Sequence, residues 1–172
     1  PIIEIVNKYD GVETITDCCK KNDLSSDISD FLNTGLLHNS KGEEIKIYEH
    51  QKDAFLSVVK EKKNMIVTTG TGSGKTECFM IPVISNLVEE SKSWPLPEER
   101  EHAVRTLIMY PLNALAEDQM VRLRKSLEDE NVKNCLDKNR KQNRFTFGRY
   151  TGRTPGKPSE TRQKSLERFK GQ

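Results

Sequence analysis

Long apolar runs are missing from this sequence. No stretch of its 172 residues is apolar over the length that a bilayer crossing needs, so no membrane partner is expected. The opening PIIEIVNKYD has no basic segment followed by an apolar one, so no signal peptide is read there. An initiator methionine is missing too, and a chain that starts at Pro1 is expected to have been processed or cut from something longer. Aromatic residues make up only 6%, which leaves an aliphatic core. The four cysteines, Cys18, Cys19, Cys78 and Cys135, form no C-x-x-C pair, and the adjacent two cannot readily bridge. His38, His50 and His102 lie far apart in sequence. This pattern argues against a disulfide framework and a zinc site, and for reduced cysteines in a cytosolic protein.

Arginine is absent from the first 99 residues. That part holds 11 Lys+Arg against 17 Asp+Glu, a net −6, while residues 100–172 hold 17 against 9, a net +8. The asymmetry fits either a polyanion-facing surface downstream of residue 100 or a solvated basic tail.

Periodicity divides what is present. Leu24, Ile28, Phe31 and Leu32 recur at helical spacing behind Ser25 and Ser26, with Gly35 as a stop. Residues 1–46 are therefore read as an accessory N-terminal helical region. Residues 49–62 read as an amphipathic helix with Ala54, Phe55, Val58 and Val59 on its apolar face. Met65-Ile66-Val67-Thr68 is a buried-strand candidate, and residues 77–90 a helix apolar on most sides, with Pro82 expected to kink it. Residues 91–101 read as a loop. Residues 104–110 are the second strand candidate, residues 114–127 a helix with Leu115, Leu123 and Leu127 on one stripe, and residues 129–143 a polar connection. Residues 145–150 alternate as a third strand, and TRQKSLERFK near the end reads as a short helix. Strand, helix, strand, helix, strand is the order of an α/β fold with a parallel sheet and crossover helices.

Between the first strand candidate and its helix lies Val67-Thr68-Thr69-Gly70-Thr71-Gly72-Ser73-Gly74-Lys75-Thr76-Glu77. Glycines at 70, 72 and 74 leave successive backbone N–H groups free to line one concavity, and the helix behind adds its positive end. Lys75 is placed to reach the β- and γ-phosphates of a nucleotide, and the Thr76 hydroxyl to ligate Mg²⁺. A G-K-T tripeptide alone is weak; T-G-x-G-K-T between a strand and a helix is strong.

Thr69 stands where the general P-loop pattern has glycine. A threonine there, followed by T-G-x-G-K-T, resembles motif I of superfamily-two helicases of the DEAD/DEAH-box type. Upstream, Ile47-Tyr48-Glu49-His50-Gln51-Lys52-Asp53-Ala54-Phe55 resembles their Q motif. The resemblance implies that Gln51 reads adenine, which its amide suits, and that Tyr48 covers the base. Tyr110-Pro111-Leu112-Asn113-Ala114-Leu115-Ala116-Glu117-Asp118-Gln119 resembles motif Ia, in the form found in large bacterial DNA helicases of repair and phage defence. Pro111, Asn113 and Gln119 would then face a nucleic-acid backbone, with Asn113 also a candidate N-cap. Gly148-Arg149-Tyr150-Thr151-Gly152-Arg153-Thr154-Pro155 resembles motif Ib, which makes Arg149, Thr151, Gly152, Arg153 and Thr154 further backbone contacts.

The resemblance covers about residues 47–155 and implies a P-loop NTPase of RecA-like fold, its parallel sheet incomplete, over residues 47–172. ATP and Mg²⁺ are the implied cofactors, with Thr69, Gly70, Thr71, Gly72, Ser73, Gly74, Lys75, Thr76 and Glu77 around the phosphates. DNA, as a single strand or a duplex with a single-stranded end, is the implied partner, ahead of RNA, and the bacterial cytosol the implied location. What the sequence lacks here is an apolar strand ending in Asp-Glu, the pair that orders Mg²⁺ and the attacking water. Leu127-Glu128-Asp129-Glu130 has acids but no strand before them. The chain is thus expected to bind phosphates and Mg²⁺, with the acidic motif and a second RecA-like domain supplied elsewhere. An RNA helicase and a non-catalytic nucleotide- or DNA-binding scaffold are the alternatives.

Overall fold

A computed structural model describes residues 9–101, 103–151 and 154. The terminal helix expected in TRQKSLERFK lies outside them, as do Gly152 and Arg153. The chain opens with strand β1 (Gly11–Thr14), helix α1 (Ile15–Lys21) and helix α2 (Ser26–Gly35). Strand β2 (Lys46–Tyr48) leads straight into α3 (Glu49–Phe55), which continues as a π-helical turn over Leu56–Lys60. Three helices follow: α4 (Lys75–Ser91), α5 (Asn113–Leu127) and α6 (Glu130–Asn139).

Local chemistry explains most of these boundaries. The Thr14 hydroxyl accepts from Asp17 N at 3.1 Å and caps α1, and Ser25 Oγ accepts from Asp27 N at 3.3 Å to cap α2. At the head of α3, the Gln51 side chain reaches back to accept from Tyr48 N at 2.9 Å, one half of a capping box. The π-helical turn is closed by Glu61 N donating to Leu56 O at 3.0 Å, where a single α-helix over 49–62 was expected. Helix α4 contains Pro82, which has no N–H for the Cys78 carbonyl. Eight of its residues are buried, in keeping with a helix that is apolar on most sides.

Helix α6 occupies a stretch read from sequence as a connection. Asp129 caps it by accepting from Asn131 N at 2.8 Å, and Val132 and Leu136, four residues apart, bury one narrow face. One continuous core joins α1 and α2 (Ile15, Cys18, Ile28, Phe31, Leu32) to α4 (Ile81, Ile84, Val88) and to Leu127, Val132 and Leu136. Phe145 lies within it, 5.2 Å from Phe31 and 5.6 Å from Trp94 by ring centroids. Arg140 ties three elements together: Nη2 meets Asp27 Oδ2 at 2.6 Å, and Nε donates to Ser91 Oγ at 2.9 Å. Burial pushes the Cys18 thiol up to about 11 and that of Cys19 to about 12, which keeps both protonated and unreactive.

The sheet differs from the one expected. Among the described residues the sheet is two-stranded: β1 and β2 pair antiparallel, with Gly11 opposite Tyr48 and Thr14 opposite Lys46. The segments 65–68, 104–110 and 145–150 form no strand, and Ile66 (90%), Val104 (84%) and Met109 (82%) stand exposed. The reason is physical. A run apolar on both faces becomes a strand only when neighbours supply a ladder and helices cover both sides. No helix among the described residues is long and apolar enough to cross a membrane.

Candidate functional site

The site is built where α3 meets the start of α4. Gly74 is the N-cap of α4 and holds φ +74°, a left-handed conformation, and Gly72 holds φ +76°. Two left-handed residues, one intervening serine and a helix start give a concave run of backbone N–H groups, the geometry of an anion cradle. The first N–H groups of α4 have no carbonyl ahead of them within the helix, so they point at whatever enters the cradle.

Lys75, the first residue of α4, is exposed and bends back over this loop. Its Nζ donates to Thr69 O at 2.8 Å and also to Gly70 O. The loop's own carbonyls thus hold the ammonium in the position of a ligand-facing cation. Thr69 and Ser73 hydroxyls lie 2.6 Å apart, so the threonine in the first position fastens the loop across its base. Ser73 is fully buried, whereas Gly70, Thr71 and Gly72 are exposed. Thr76, next after the lysine, is half-buried on the first turn.

The upstream motif grips this loop from below. Gln51 is only 5% exposed, and both ends of its amide are engaged: Oε1 takes Tyr48 N, and Nε2 donates to Gly74 O at 3.0 Å. A side-chain amide has two donors and two lone pairs, so each end keeps one unused capacity. His50 Nε2 lies 2.7 Å from Ser73 O; a carbonyl only accepts, so the bond requires a proton on that nitrogen. Tyr9, Tyr48 and His50 form an aromatic cluster with centroids 5.2 to 5.7 Å apart. Sequence reasoning singled out Gln51 and Tyr48 but missed His50 and Tyr9. The available signal for His50 was its place beside Gln51; nothing local marked Tyr9, which reaches the loop only through the β1–β2 pairing.

Glu77, placed around the phosphates from sequence, has its Oε1 3.0 Å from Arg122 Nη2 on α5. Its other oxygen lies 3.2 Å from where a Cβ on Gly74 would stand. The downstream residues are spread along α5 and beyond. Pro111 and Asn113 are exposed at the head of α5, whose N-cap is Leu112; Asn113 is the first helical residue and not the cap. Gln119 Oε1 is buried and finds no hydrogen-bond partner among the described residues. Arg149 is ion-paired to Glu117. Thr151 and Thr154 close a turn, Thr154 N donating to Thr151 O at 2.8 Å and Thr151 N to Thr154 Oγ1 at 2.9 Å.

This arrangement fits a nucleotide's phosphates: a glycine cradle, a cation reaching across it and a hydroxyl on the first helical turn. The family model for DEAD/DEAH box helicases matches residues 48–159, and the chain belongs to that family. It is 39% identical to Druantia protein DruE of Escherichia coli (strain UMEA 4076-1) over 109 residues, 63% of this chain and 6% of that protein. It is 28% identical to the uncharacterized ATP-dependent helicase YprA of Bacillus subtilis (strain 168) over 87 residues, 51% of this chain and 10% of that protein. A third match is the ATP-dependent RNA helicase DBP9 of the yeast Debaryomyces hansenii, 32% identical over 66 residues, 38% of this chain and 10% of that protein. The chain spans a tenth or less of the length of these relatives. No solved structure matches it.

Proposed function

We propose that this chain is the ATP-binding, nucleic-acid-contacting front part of an ATP-dependent DNA helicase or translocase. The observation that carries the reading is the loop itself. Lys75 is held on the carbonyls of Thr69 and Gly70 at the mouth of a cradle whose last residue, Gly74, is pinned by Gln51.

ATP supplies the free energy of a phosphoanhydride, and Mg²⁺ offsets the charge of its phosphates. Thr69, Gly70, Thr71, Gly72, Ser73 and Gly74 would present backbone N–H groups to those phosphates. Lys75 would exchange two carbonyls for phosphate oxygens, a charge-assisted bond in place of neutral ones. Thr76 would offer its hydroxyl to Mg²⁺, and Glu77 would sit at the edge of the phosphate site. Gln51 would read adenine with its remaining donor and lone pair, and Tyr48 would cover the base.

Nucleic acid would lie along the head of α5 and the segment after residue 148. Pro111, Asn113, Gln119, Thr151, Gly152, Arg153 and Thr154 are its proposed contacts. Arg149 joins them by leaving Glu117, since a phosphate competes for the same guanidinium. The net +8 of residues 100–172 supports this side as the polyanion-facing one.

Segments 65–68, 104–110 and 145–150 would become strands of a parallel RecA-like sheet over residues 47–172, next to the helical region 1–46. Their exposed apolar side chains support that reading, because such runs are stable only when covered. The strands and the Asp-Glu motif that complete the sheet, and a second RecA-like domain, are the proposed partners, in the cytosol of a bacterium. The form of Tyr110–Gln119 supports large DNA helicases of repair or defence. The match to DBP9 favours the second reading, an RNA helicase.

Stimulation of ATP hydrolysis in the full-length protein separates the two. Single-stranded DNA is expected to raise turnover about tenfold or more over the protein alone, and RNA of the same sequence to raise it less. Preferential stimulation by RNA would replace DNA with RNA as the substrate. No stimulation by either would favour a nucleotide-binding scaffold.

A further inference from the structure

The junction between α4 and α5 holds an ion pair that runs from the edge of the phosphate loop to the next helix. Glu77 lies on the first turn of α4, two residues after Lys75, and its carboxylate meets Arg122 of α5 at 3.0 Å. The glutamate is 17% exposed and the arginine 48%, so the pair is sheltered on the phosphate-loop side and open on the other. Two residues further along α4, Phe79 packs edge-on against Tyr110, with centroids 6.4 Å apart. Tyr110 immediately precedes Pro111 and the head of α5. Burial pushes the Tyr110 hydroxyl up, and the charge of Arg122 works against that.

Few other contacts hold the rest of α5: Leu123 packs against the core, and Glu117 pairs with Arg149. Its buried residues are Ser126 and Leu127, at the end far from Asn113. Leu115 and Val121 are exposed. Tyr110 Oη and Gln119 Oε1 are both buried without a hydrogen-bond partner among the described residues, so the junction is packed but incompletely bonded. Two ion pairs hold α5 besides its tail, Glu117 with Arg149 and Arg122 with Glu77, and through the second the helix takes its alignment from the element that pair reaches. Here that element is the first turn behind the phosphate loop.

We propose that Arg122 is a positioning residue that, through Glu77, aligns the nucleic-acid end of α5 with the occupied phosphate loop, so that nucleotide and nucleic acid raise each other's affinity. The inference rests on the reading of the chain as part of a nucleic-acid-stimulated ATPase. Its physical content is a coupling free energy, which must be reciprocal and must pass through a contact both sites bias. Nucleotide phosphates fix the loop and the start of α4, hence Glu77. Glu77 fixes Arg122, and Arg122 fixes the direction in which Asn113 and its neighbours face.

The test is a binding square on the full-length protein. The affinity for a fluorescent single-stranded oligonucleotide is measured with and without a non-hydrolysable ATP analogue. Wild type is expected to bind the oligonucleotide about tenfold tighter with the analogue. Arg122→Gln should lower that factor below about twofold while leaving affinity for the analogue alone within about twofold, and Arg122→Lys should restore most of it. Glu77→Gln combined with Arg122→Gln should be no worse for the coupling factor than Arg122→Gln alone, since the two act as one unit. An Arg122→Gln protein that keeps the wild-type factor, or a wild-type factor of one with both ligands bound, overturns the inference and leaves the parent reading standing. Wild type that binds neither ligand overturns the parent reading itself.

Discussion

Replacing Lys75 with alanine in the full-length protein should lower ATP turnover by about 100-fold or more. Removing a single preorganised donor to a reacting oxyanion costs about 10²–10³ in rate, and this donor carries a full charge. The fold should not change. Lys75 is exposed, and its bonds go to the carbonyls of Thr69 and Gly70, which water can satisfy in its absence. Urea unfolding of Lys75→Ala should therefore give a midpoint within error of wild type. Turnover within twofold of wild type would remove this loop from the ATP site.

Gly74→Ala should damage both stability and nucleotide binding, through two separate costs. A residue with a Cβ at φ +74° carries left-handed strain of about 1–2 kcal/mol. The added carbon would also fall inside contact distance of Gln51 Nε2, the group that donates to Gly74 O. Moving that amide strands a buried polar side chain, at a further cost of about 1–3 kcal/mol. Gly72→Ala is the matched control. Its φ is +76°, but a Cβ there meets nothing within 4 Å, so only the strain applies. Denaturant midpoints should rank wild type first, Gly72→Ala next and Gly74→Ala last, and nucleotide affinity should fall by more than tenfold in Gly74→Ala. Equal losses in the two variants would mean that the Gln51 contact contributes nothing.

The helices were legible in the sequence wherever an apolar stripe and a cap agreed. Ser25 with Ile28, Phe31 and Leu32 marked α2, and the glycine loop with the apolar run behind it marked α4. Helix α6 was hidden because Val132 and Leu136 are its only buried residues among charged neighbours, and its cap, Asp129, sat in a run of acids. The β1–β2 ribbon was missed because pairing between Gly11 and Tyr48 is long-range, and GVET carries no alternating pattern. The three apolar segments were read as strands from composition, yet a ladder is a property of neighbours and not of a segment. In the site, the residue types of the phosphate loop were readable one by one. The interlock of Gln51, His50 and Ser73 behind it was not, since it depends on α3 and α4 packing side by side. Arg122 was likewise one more charge on a basic helix until α5 was laid against Glu77.

The most direct test is hydrogen–deuterium exchange of the full-length protein with and without saturating Mg²⁺–ATP, read on peptides covering residues 67–77. Binding of the phosphates by the backbone of this loop predicts that exchange slows there, and that Lys75→Ala abolishes the slowing. Exchange in residues 67–77 that is the same with and without bound ATP would contradict the assignment of this loop as the nucleotide site.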